Sequence, residues 1–446
     1  MSGKGQKIII ASAVVLVVAC LVFAMYTLVN FASPLINTQR KIGAEIAKIK
    51  EKGEPVTLAE LAPPPVPDDQ NAAIIYEKAF KIIDTPQGKK DLKIIGEFLS
   101  PKNDRNAKLW SQAREAVARN KKIISLVEEA QAKPKCRFSV DWAKGLDAEY
   151  PHLAKLRDMT RFFWAHSLIN ARDGNMDEAI NSLRLGIKLT EPVKDERCLI
   201  PLLVRIAIAR IICRSSYEAL SYGNLNEIQA EKLYKAMSEI EYCSDLGKAL
   251  EGDRAMWISF CQHLRTGNQS SAEKMNPGSS SQYPGRNLGH AIFGAEEVQY
   301  LKNMAKQIRN ADMSYREATI KGVDKEATDS PKYAHFSAIF SSTYSRPRAA
   351  RDIAIAELRG MQILLACQAY RDRYQVYPET LSELRSKLGW KLPKDVFSGK
   401  DMVYRPLNRG FILYSVGSDL KDNGGHPPKK FGSYNDGDDI VWKMEH

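Results

Sequence analysis

The feature that most constrains this chain is an uncharged segment close to its amino terminus. Residues 8–31 read IIIASAVVLVVACLVFAMYTLVNF, without one charged side chain. A helix of about 20 apolar residues crosses the hydrocarbon core of a bilayer, so this segment is long enough to span a membrane with some tilt. Residues 1–31 are therefore expected to form a short tail and a transmembrane anchor, with the rest of the chain folded on one side of the membrane.

Two cleavable signals are alternatives to this anchor. A secretory signal peptide has an apolar core of about 7–15 residues, which is shorter than this segment. A lipoprotein signal is the second alternative, because residues 17–20, VVAC, loosely resemble a lipobox that ends at Cys20. However, the apolar run continues from Leu21 to Phe31, where a lipoprotein would normally become polar. An uncleaved signal anchor is the preferred interpretation.

The charged residues suggest an anionic partner but not a nucleic acid. The chain has 65 Lys and Arg against 53 Asp and Glu, which gives a net charge of +12. Such an excess suits anionic lipid, an acidic polymer or nucleic acid. Acidic and basic residues alternate along most of the chain, without an arginine-rich arm or a zinc finger, so we expect no nucleic-acid binding. The orientation of the anchor stays open, because basic residues lie on both sides of it: Lys4, Lys7, Arg40, Lys41, Lys48 and Lys50.

Residues 32–67 are expected to link the anchor to the first folded domain. The stretch QRKIGAEIAKIKEKG predicts a basic amphipathic helix, which would either rest near lipid headgroups or act as a stalk. Prolines follow at positions 55, 63, 64, 65 and 67. Proline-rich segments are stiff and extended, so this spacer is expected to hold the next domain away from the membrane.

Residues 68–345 are predicted to form one all-α domain of stacked helices. Apolar residues recur at helical spacing in several stretches, such as NAAIIYEKAFKII, and strand-like alternation is scarce. A segment rich in Ser, Gly and Pro at 267–290 predicts a long loop. A further helix is expected at about 293–318.

One stretch of this domain, near 156–192, resembles a tetratricopeptide unit. Gly174 lies at the expected turn, and Pro192 follows the second helix. The expected packing positions of the second helix are Ala179, Leu183 and Gly186. Asn170 departs from the pattern, because the family favours an aromatic residue there. No 34-residue repeat recurs elsewhere, and a solenoid needs about three units, so a single TPR-like helix pair is predicted.

Residues 346–446 change in character and predict a small α+β module. A helix is expected from after Pro347 to about Tyr374, because apolar residues cover most of its circumference. A short second helix is expected at ETLSELRSKLG. The stretches DMVYRP, GFILYSVG and DDIVW lie between turn signals and predict about three short antiparallel strands. The expected fold class is thus mainly α, with a small α+β module at the carboxyl end.

Four motifs of this module carry a resemblance to a known family. In order, they are AYRDRYQVYPETLSEL, LPKDVFSGKDMVYRP, LYSVGSDLKDNGG and DDIVW. Together they resemble the globular part of the type II secretion major pseudopilins, over about residues 350–442. The resemblance implies a single-pass protein of the bacterial inner membrane with its large domain outside the cytoplasm. The rest of the chain resembles uncharacterised membrane-anchored bacterial proteins, which implies no activity.

The pseudopilin resemblance also implies a calcium site, because the family binds calcium in the loop after the second strand. Calcium takes about six to eight oxygen ligands from carboxylates, carbonyls and water. Gly437 stands where the family tends to have an acidic ligand, so a neighbouring aspartate would have to replace it. The spacing does not fit an EF-hand, and a solvated Asn-Gly turn is the alternative interpretation. The candidate calcium ligands are Asp419, Asp422, Asn423, Asp436, Asp438 and Asp439.

The organisation of the chain departs from that of a pseudopilin. A pseudopilin has its hydrophobic assembly helix directly before the globular part, whereas here the apolar segment 8–31 lies far upstream of residue 350. Ile10 also occupies the place of the glutamate of the family, if Gly5 is the cleavage point. The resemblance therefore supports a shape and a metal site rather than a role.

No catalytic residue is predicted. The seven histidines show no H-E-x-x-H spacing, and there is no nucleophile elbow, Walker loop or dinucleotide fingerprint. The seven cysteines include no C-x-x-C pair. Cys261 and His263 form the nearest thiol-imidazole pair, but two helix positions apart they point to nearly opposite sides. An acid-base pair built from distant residues stays open.

Three functions are compatible with these features. The leading hypothesis is a non-enzymatic, membrane-anchored envelope protein whose helical domain binds a protein partner and whose C-terminal module is stabilised by calcium. The first alternative is a component of a type II secretion or pilus-like assembly. The second alternative is a hydrolase or binding protein that acts on an anionic envelope polymer.

Overall fold

Helices make up most of the described chain, and a three-stranded antiparallel sheet lies at its carboxyl end. The computed structural model describes residues 37–103, 105–240, 245–266, 286–323, 345–428 and 437–445. The expected anchor, most of the expected loop at 267–290 and Asp436 lie outside these residues. Within the described ranges, no helix is both long enough and apolar enough to span a bilayer. The mainly α fold class and the small C-terminal sheet are confirmed.

The helices account for most of the described residues from 37 to 388. They are α1 (37–51), α2 (Ala72–Asp84), α3 (Pro86–Leu99), α4 (Ala107–Arg119), α5 (Lys122–Gln131), α6 (Pro151–Arg172), α7 (Met176–Lys188), α8 (Leu199–Ala219), α9 (Glu227–Ser238), α10 (Asp245–Thr266), α11 (Arg286–Arg309), α12 (Tyr315–Ile320), α13 (Ser345–Tyr374) and α14 (Leu381–Leu388). Short 3-10 turns lie at Leu58–Leu61, Asp68–Gln70 and Trp142–Asp147. The strands are β1 (Val403–Leu407), β2 (Gly410–Ser415) and β3 (Ile440–Glu445).

Residues 37–67 pack onto the helical body, which differs from the expected free stalk and spacer. Helix α1 buries Ile42 and Ile49. A Cβ atom placed on Gly294 of α11 would lie 2.7 Å from Cγ2 of Thr38, so α1 and α11 are in close contact. Further along, Leu61 is buried in a small apolar cluster with Trp142 and its neighbours. The burial of these apolar side chains explains why the proline-rich segment does not extend away from the body.

The expected TPR-like helix pair is α6 and α7, which pack against each other and against α8. Ala179 and Leu183 are buried as predicted. A Cβ atom at Gly186 would lie 2.3 Å from Cδ1 of Ile212, so a larger residue there would require the Ile212 side chain to move. Asn170 donates a hydrogen bond of 2.9 Å to the carbonyl of His166 in its own helix. The three predicted packing positions are buried, and the TPR-like character of the pair stays a prediction.

The predicted single helix at 293–318 is two helices in the structure. Helix α11 ends at Arg309 and α12 begins after Ser314. The Ser314 hydroxyl accepts a hydrogen bond from the backbone N–H of Glu317, and the Glu317 carboxylate accepts one from the N–H of Ser314. This reciprocal capping box starts a new helix and explains the break.

The C-terminal module forms from α13, α14 and the sheet in the order β1-β2-β3. Both strand pairs are antiparallel, and Leu413 of β2 lies opposite Trp442 of β3. The indole ring of Trp442 lies against Gly360 of α13, where a Cβ atom would come within 2.1 Å of the ring. Glycine at this position therefore lets the sheet pack directly on the helix. The predicted long helix, short helix and three strands are confirmed.

One hydrophobic core runs through the helical body and the C-terminal module. A single cluster of buried residues extends from Ile49 to Met444. Helix α13 packs along α8 and α9, and Arg210 of α8 donates a hydrogen bond of 2.8 Å to the buried carboxylate of Glu357. The hydroxyl of Tyr217 also donates to the backbone carbonyl of Lys443, over 2.7 Å. The expected domain boundary near residue 345 stays a prediction, and the apolar packing continues across it.

Candidate functional site

The acidic loop is the segment 417–428 between β2 and the start of β3, together with Asp438 and Asp439. Its glycines allow backbone conformations that other residues rarely adopt. Gly417 has a φ of +73°, and a Cβ atom there would lie 2.5 Å from the carbonyl oxygen of Asp438. Gly425 has a φ of +81° and lies against the ring of Tyr414. Glycine at these two positions therefore brings the two ends of the loop together.

Asp439 closes the acidic loop from its far side. Its side chain is fully buried, and one carboxylate oxygen accepts hydrogen bonds from the N–H groups of Gly425, at 2.7 Å, and His426, at 3.1 Å. The N–H of Asp439 in turn donates to the carbonyl of His426 over 2.8 Å. Burial raises the pKa of Asp439, and these N–H donors act in the opposite direction. The carboxylate thus ties the loop to the beginning of β3.

Asp422 is held by the sheet. The hydroxyl of Tyr414 donates a hydrogen bond of 3.0 Å to its carboxylate, and the N–H of Gly424 donates one of 2.9 Å. Arg405 on β1 donates to the Tyr414 oxygen at 2.6 Å and to the Gly424 carbonyl at 3.2 Å. Burial and the neighbouring Asp422 carboxylate raise the pKa of Tyr414, so the phenol keeps its proton for this bond.

Asp419 and Asn423 form the third part of the loop. The carboxylate of Asp419 accepts hydrogen bonds from the N–H of Lys421, at 3.0 Å, and from the side-chain amide of Asn423, at 2.8 Å. The backbone N–H of Asn423 lies 3.5 Å from the carboxylate of Asp439. Asn423 therefore contacts both Asp419, through its side-chain amide, and Asp439, through its backbone N–H.

The predicted ligand set is thus brought together in part. Asp419, Asp422, Asn423 and Asp439 share one loop, whereas Asp436 lies outside the described residues. Across the described ranges, no group of three or more His, Cys, Asp and Glu side chains is close enough to hold a metal ion. The donors are all oxygen atoms, which suits a hard cation such as calcium. One oxygen of Asp439 and one oxygen of Asp422 already accept two hydrogen bonds each, so a bound calcium ion would need their other oxygens, with Asp436 or Asp438 to complete the ligand shell.

A second candidate site is a cleft that the sequence did not predict. We call it the basic cleft. It has a volume of about 520 Å³ and three walls, which are the proline segment 62–66, residues 135–137, and the loop 193–197 before α8. Ligand sites in proteins commonly have volumes of about 300–1,000 Å³, so this cleft is large enough for a small organic molecule.

Glu196 lies in the lining of the basic cleft, and its carboxylate lies beside the imidazole of His152 without hydrogen-bond geometry. Nε2 of His152 lies 2.9 Å from Oε1 of Glu196, and the two side chains are only 4% and 6% exposed. Phe138 stacks flat on the imidazole, with ring centroids 4.3 Å apart. The other carboxylate oxygen, Oε2, is buried and accepts no hydrogen bond from the part of the chain that the structure describes. A buried acceptor without a donor is costly, so this atom marks a potential ligand contact.

The rim of the basic cleft is rich in cations. Arg205 is paired with Asp245, and Lys194 with Glu191. Four further basic residues line the cleft and form no ion pair with another described residue: Lys135, Arg137, Arg197 and Lys248. Cys136 also lines it, but burial raises the pKa of its thiol to about 12, so the nucleophilic thiolate is scarce at neutral pH. The geometry therefore favours binding of an anion over thiol chemistry.

Sequence patterns could not find this cleft, because its residues come from distant segments. His152 begins α6, whereas Glu196 lies in the loop before α8. The local signal is limited to two short charged runs beside prolines, KPKCR and EPVKDER. Neither run has ligand spacing by itself.

Comparisons with known proteins identified no related protein. A scan against protein-family models, a search of curated proteins and a search of solved structures each found no match. The pseudopilin resemblance consequently rests on the four sequence motifs and stays a prediction. What the protein does has to be inferred from the geometry of its own residues.

Proposed function

We propose that the protein is a non-enzymatic, membrane-anchored envelope protein that acts as a rigid scaffold. In this proposal residues 8–31 anchor it in a bacterial inner membrane, and the helical body binds a protein partner outside the cytoplasm. The pseudopilin-like module is a fixed part of that body, and calcium stabilises its acidic loop.

The observation that carries this proposal is the continuous core between the helical body and the C-terminal module. Helix α13 is buried along most of its length, from Ala354 to Tyr370. It contacts α8 and α9 on one side and β2 and β3 on another. A module held in this way supports a scaffold, because it cannot move independently of the body.

The same packing counts against the alternative of a pilus-like assembly. Pilin-type subunits associate through a hydrophobic helix that is available to other subunits. Helix α13 is covered within its own chain, and its buried Glu357 is already paired with Arg210. Subunit assembly through α13 would require these contacts to break, which favours the scaffold over a pilus component.

A patch of exposed apolar residues at the junction of α9 and α13 supports a protein partner. Ile228 is 66% exposed and Val376 is 60% exposed, with Tyr374 beside Val376 in sequence. Glu227 and Arg373 form an ion pair that joins the two helices at this point. Exposed apolar groups that lie together are typical of surfaces that bind other proteins.

The scaffold is tested by a photo-cross-linker at Val376 in the full chain, expressed in bacterial cells. We expect one dominant adduct with a different protein, and we expect it to stay in the membrane fraction after alkaline carbonate extraction. The matched control places the cross-linker at Lys122, an exposed polar position on α5, where no adduct is expected. Equal adducts at both positions, adducts with the same chain only, or release from the membrane would contradict the proposal.

The calcium loop is tested by thermal unfolding of the full chain in detergent, in about 2 mM calcium and in chelator. A site with a Kd near 10⁻⁴ M should stabilise the folded state by about 1.8 kcal/mol under these conditions. The shift should disappear in Asp419→Ala and persist in Glu129→Ala, which removes an exposed carboxylate on α5. An unfolding temperature that is the same with calcium and with chelator would return the loop to the solvated-turn interpretation.

A further inference from the structure

We propose that the basic cleft binds an acidic saccharide, a ligand that has both hydroxyl groups and carboxylate or phosphate groups. This inference does not depend on the scaffold role. It concerns a different surface from the junction of α9 and α13 and from the acidic loop. It follows from the charges on the rim, the buried acceptor in the lining and the nature of the proline wall.

The rim selects for an anion. Lys135, Arg137, Arg197 and Lys248 line the cleft without an ion pair among the described residues. The lining has more basic than acidic side chains, so its acidic groups offset this charge only in part. Glu60 already accepts hydrogen bonds from the N–H groups of Val56, at 2.7 Å, and Thr57, at 2.9 Å. Unpaired guanidinium and ammonium groups around one cleft attract carboxylate or phosphate groups.

The lining adds a requirement for a hydrogen-bond donor. Oε1 of Glu196 lies 2.9 Å from Nε2 of His152, and neither that nitrogen nor the buried Oε2 has a hydrogen-bond partner among the described residues. A ligand that donates to Oε2 would satisfy an acceptor that is otherwise desolvated. The ligand group that donates to Oε2 should not be an ammonium group, because the four rim cations would repel its positive charge. A neutral hydroxyl group meets both conditions.

The proline segment forms one wall of the cleft. Oε2 itself is screened from solvent, so a ligand hydroxyl reaches it only when the lining rearranges on binding. Pro63, Pro64 and Pro65 have no N–H to donate, so this wall offers a ligand no backbone donor at these positions. Their rings also offer an apolar surface to the C–H face of a sugar ring. Arg205 is held by Asp245 and by the carbonyl of Thr190 and keeps the opposite wall in place.

Such a saccharide has two sources, a free sugar acid or a unit of an acidic polymer. Both supply the same chemistry to the cleft, which is a carboxylate for the rim and a hydroxyl for Glu196. The rim side chains Lys135, Arg197 and Lys248 are exposed, so a polymer could continue beyond the cleft. The length of the ligand that binds best will distinguish the two sources.

The test is isothermal titration calorimetry of the full chain in detergent at low salt. The probes are galacturonate, tri-galacturonate and tricarballylate, which carries three carboxylates without a hydroxyl group. We expect a galacturonate probe to bind at least 10-fold more tightly than tricarballylate, with affinity that falls as salt rises. A preference for the trimer indicates a polymer, and equal binding of monomer and trimer indicates a free sugar acid. No binding of either galacturonate, or equal binding of tricarballylate, overturns the proposal.

Two sets of variants locate the binding. The double change Arg137→Gln and Arg197→Gln should weaken binding of the galacturonate probe by at least 10-fold, while Lys122→Gln, at an exposed lysine on α5 outside the lining of the cleft, should leave it unchanged. Glu196→Gln should reduce the preference for galacturonate over tricarballylate. Because Glu196 is buried, its variant is first checked for a native unfolding temperature. The exposed Arg197 and the half-buried Arg137 keep the proposal testable if that variant does not fold. Unchanged binding in the arginine double variant would overturn it.

Discussion

Replacing Trp442 with alanine is expected to lower the free energy of unfolding of the protein by about 3–5 kcal/mol. The indole is 1% exposed and lies directly against Gly360 of α13, so its removal leaves a large cavity between the sheet and the helix. Since the core continues from α13 to α8 and α9, we expect the whole protein to unfold at a lower temperature in one transition. Calorimetry and circular dichroism would measure this shift.

The control for this prediction is Lys443→Ala. Lys443 is the next residue of β3, but its side chain is exposed and pairs with the exposed Glu445. Its removal should change stability by less than about 0.5 kcal/mol. If Trp442→Ala instead produced a separate early transition, with the helical body unfolding at its usual temperature, the module would be an independent domain. That result would support the boundary near residue 345 and weaken the scaffold proposal.

Replacing Gly252 with alanine is expected to destabilise the protein by about 3 kcal/mol. Gly252 lies on α10, and a Cβ atom there would come within 1.5 Å of the carbonyl oxygen of Arg197. The backbone carbonyl of Arg197 cannot rotate away as a flexible side chain can. Helix α10 and the loop before α8 would therefore have to separate. Urea unfolding of the variant and the native protein would measure the difference.

The control is another glycine in a helix, Gly96 on α3. It is exposed, and a Cβ atom added there meets nothing within 4 Å. Gly96→Ala should therefore stabilise the protein by up to about 1 kcal/mol, because alanine favours the helix more than glycine does. Equal effects of the two substitutions would show that Arg197 does not lie against α10. Because Arg197 is on the rim of the basic cleft, Gly252→Ala should also weaken saccharide binding.

Local sequence patterns predicted the elements of this fold well. The apolar residues around α13 predicted a helix to about Tyr374, and the structure ends it at that residue. Short β-branched and aromatic stretches between turn signals predicted the three strands. Both signals depend on residues that are close together in sequence, so they can be recognised without knowledge of the tertiary contacts.

The positions of elements relative to one another could not be predicted in the same way. Prolines made residues 55–67 look like a free spacer, because stiffness is a local property. In the structure, Leu61 is buried against Trp142. This contact depends on the fold of the whole helical body. The capping box of Ser314 and Glu317 was a local signal, and it could have revealed the break between α11 and α12.

The candidate sites show the same division. The aspartates of the acidic loop are close in sequence, so an acidic loop after the second strand could be predicted. That Asp439 is held by the N–H groups of Gly425 and His426 depends on the pairing of β2 with β3. The basic cleft depends on contacts between three distant segments, and no pattern within any one of them predicts it.

Because α1 packs onto α11, only a short linker connects the helical body to its proposed anchor. Only residues 32–36 separate the apolar segment 8–31 from the start of α1. Six residue steps span at most about 20 Å, whatever conformation the chain adopts. With residues 8–31 in the membrane, as proposed, the beginning of α1 would stay within that distance of the bilayer surface. A long polymer that passes close to the membrane would meet the protein often, whereas a distant structure would have to come to it.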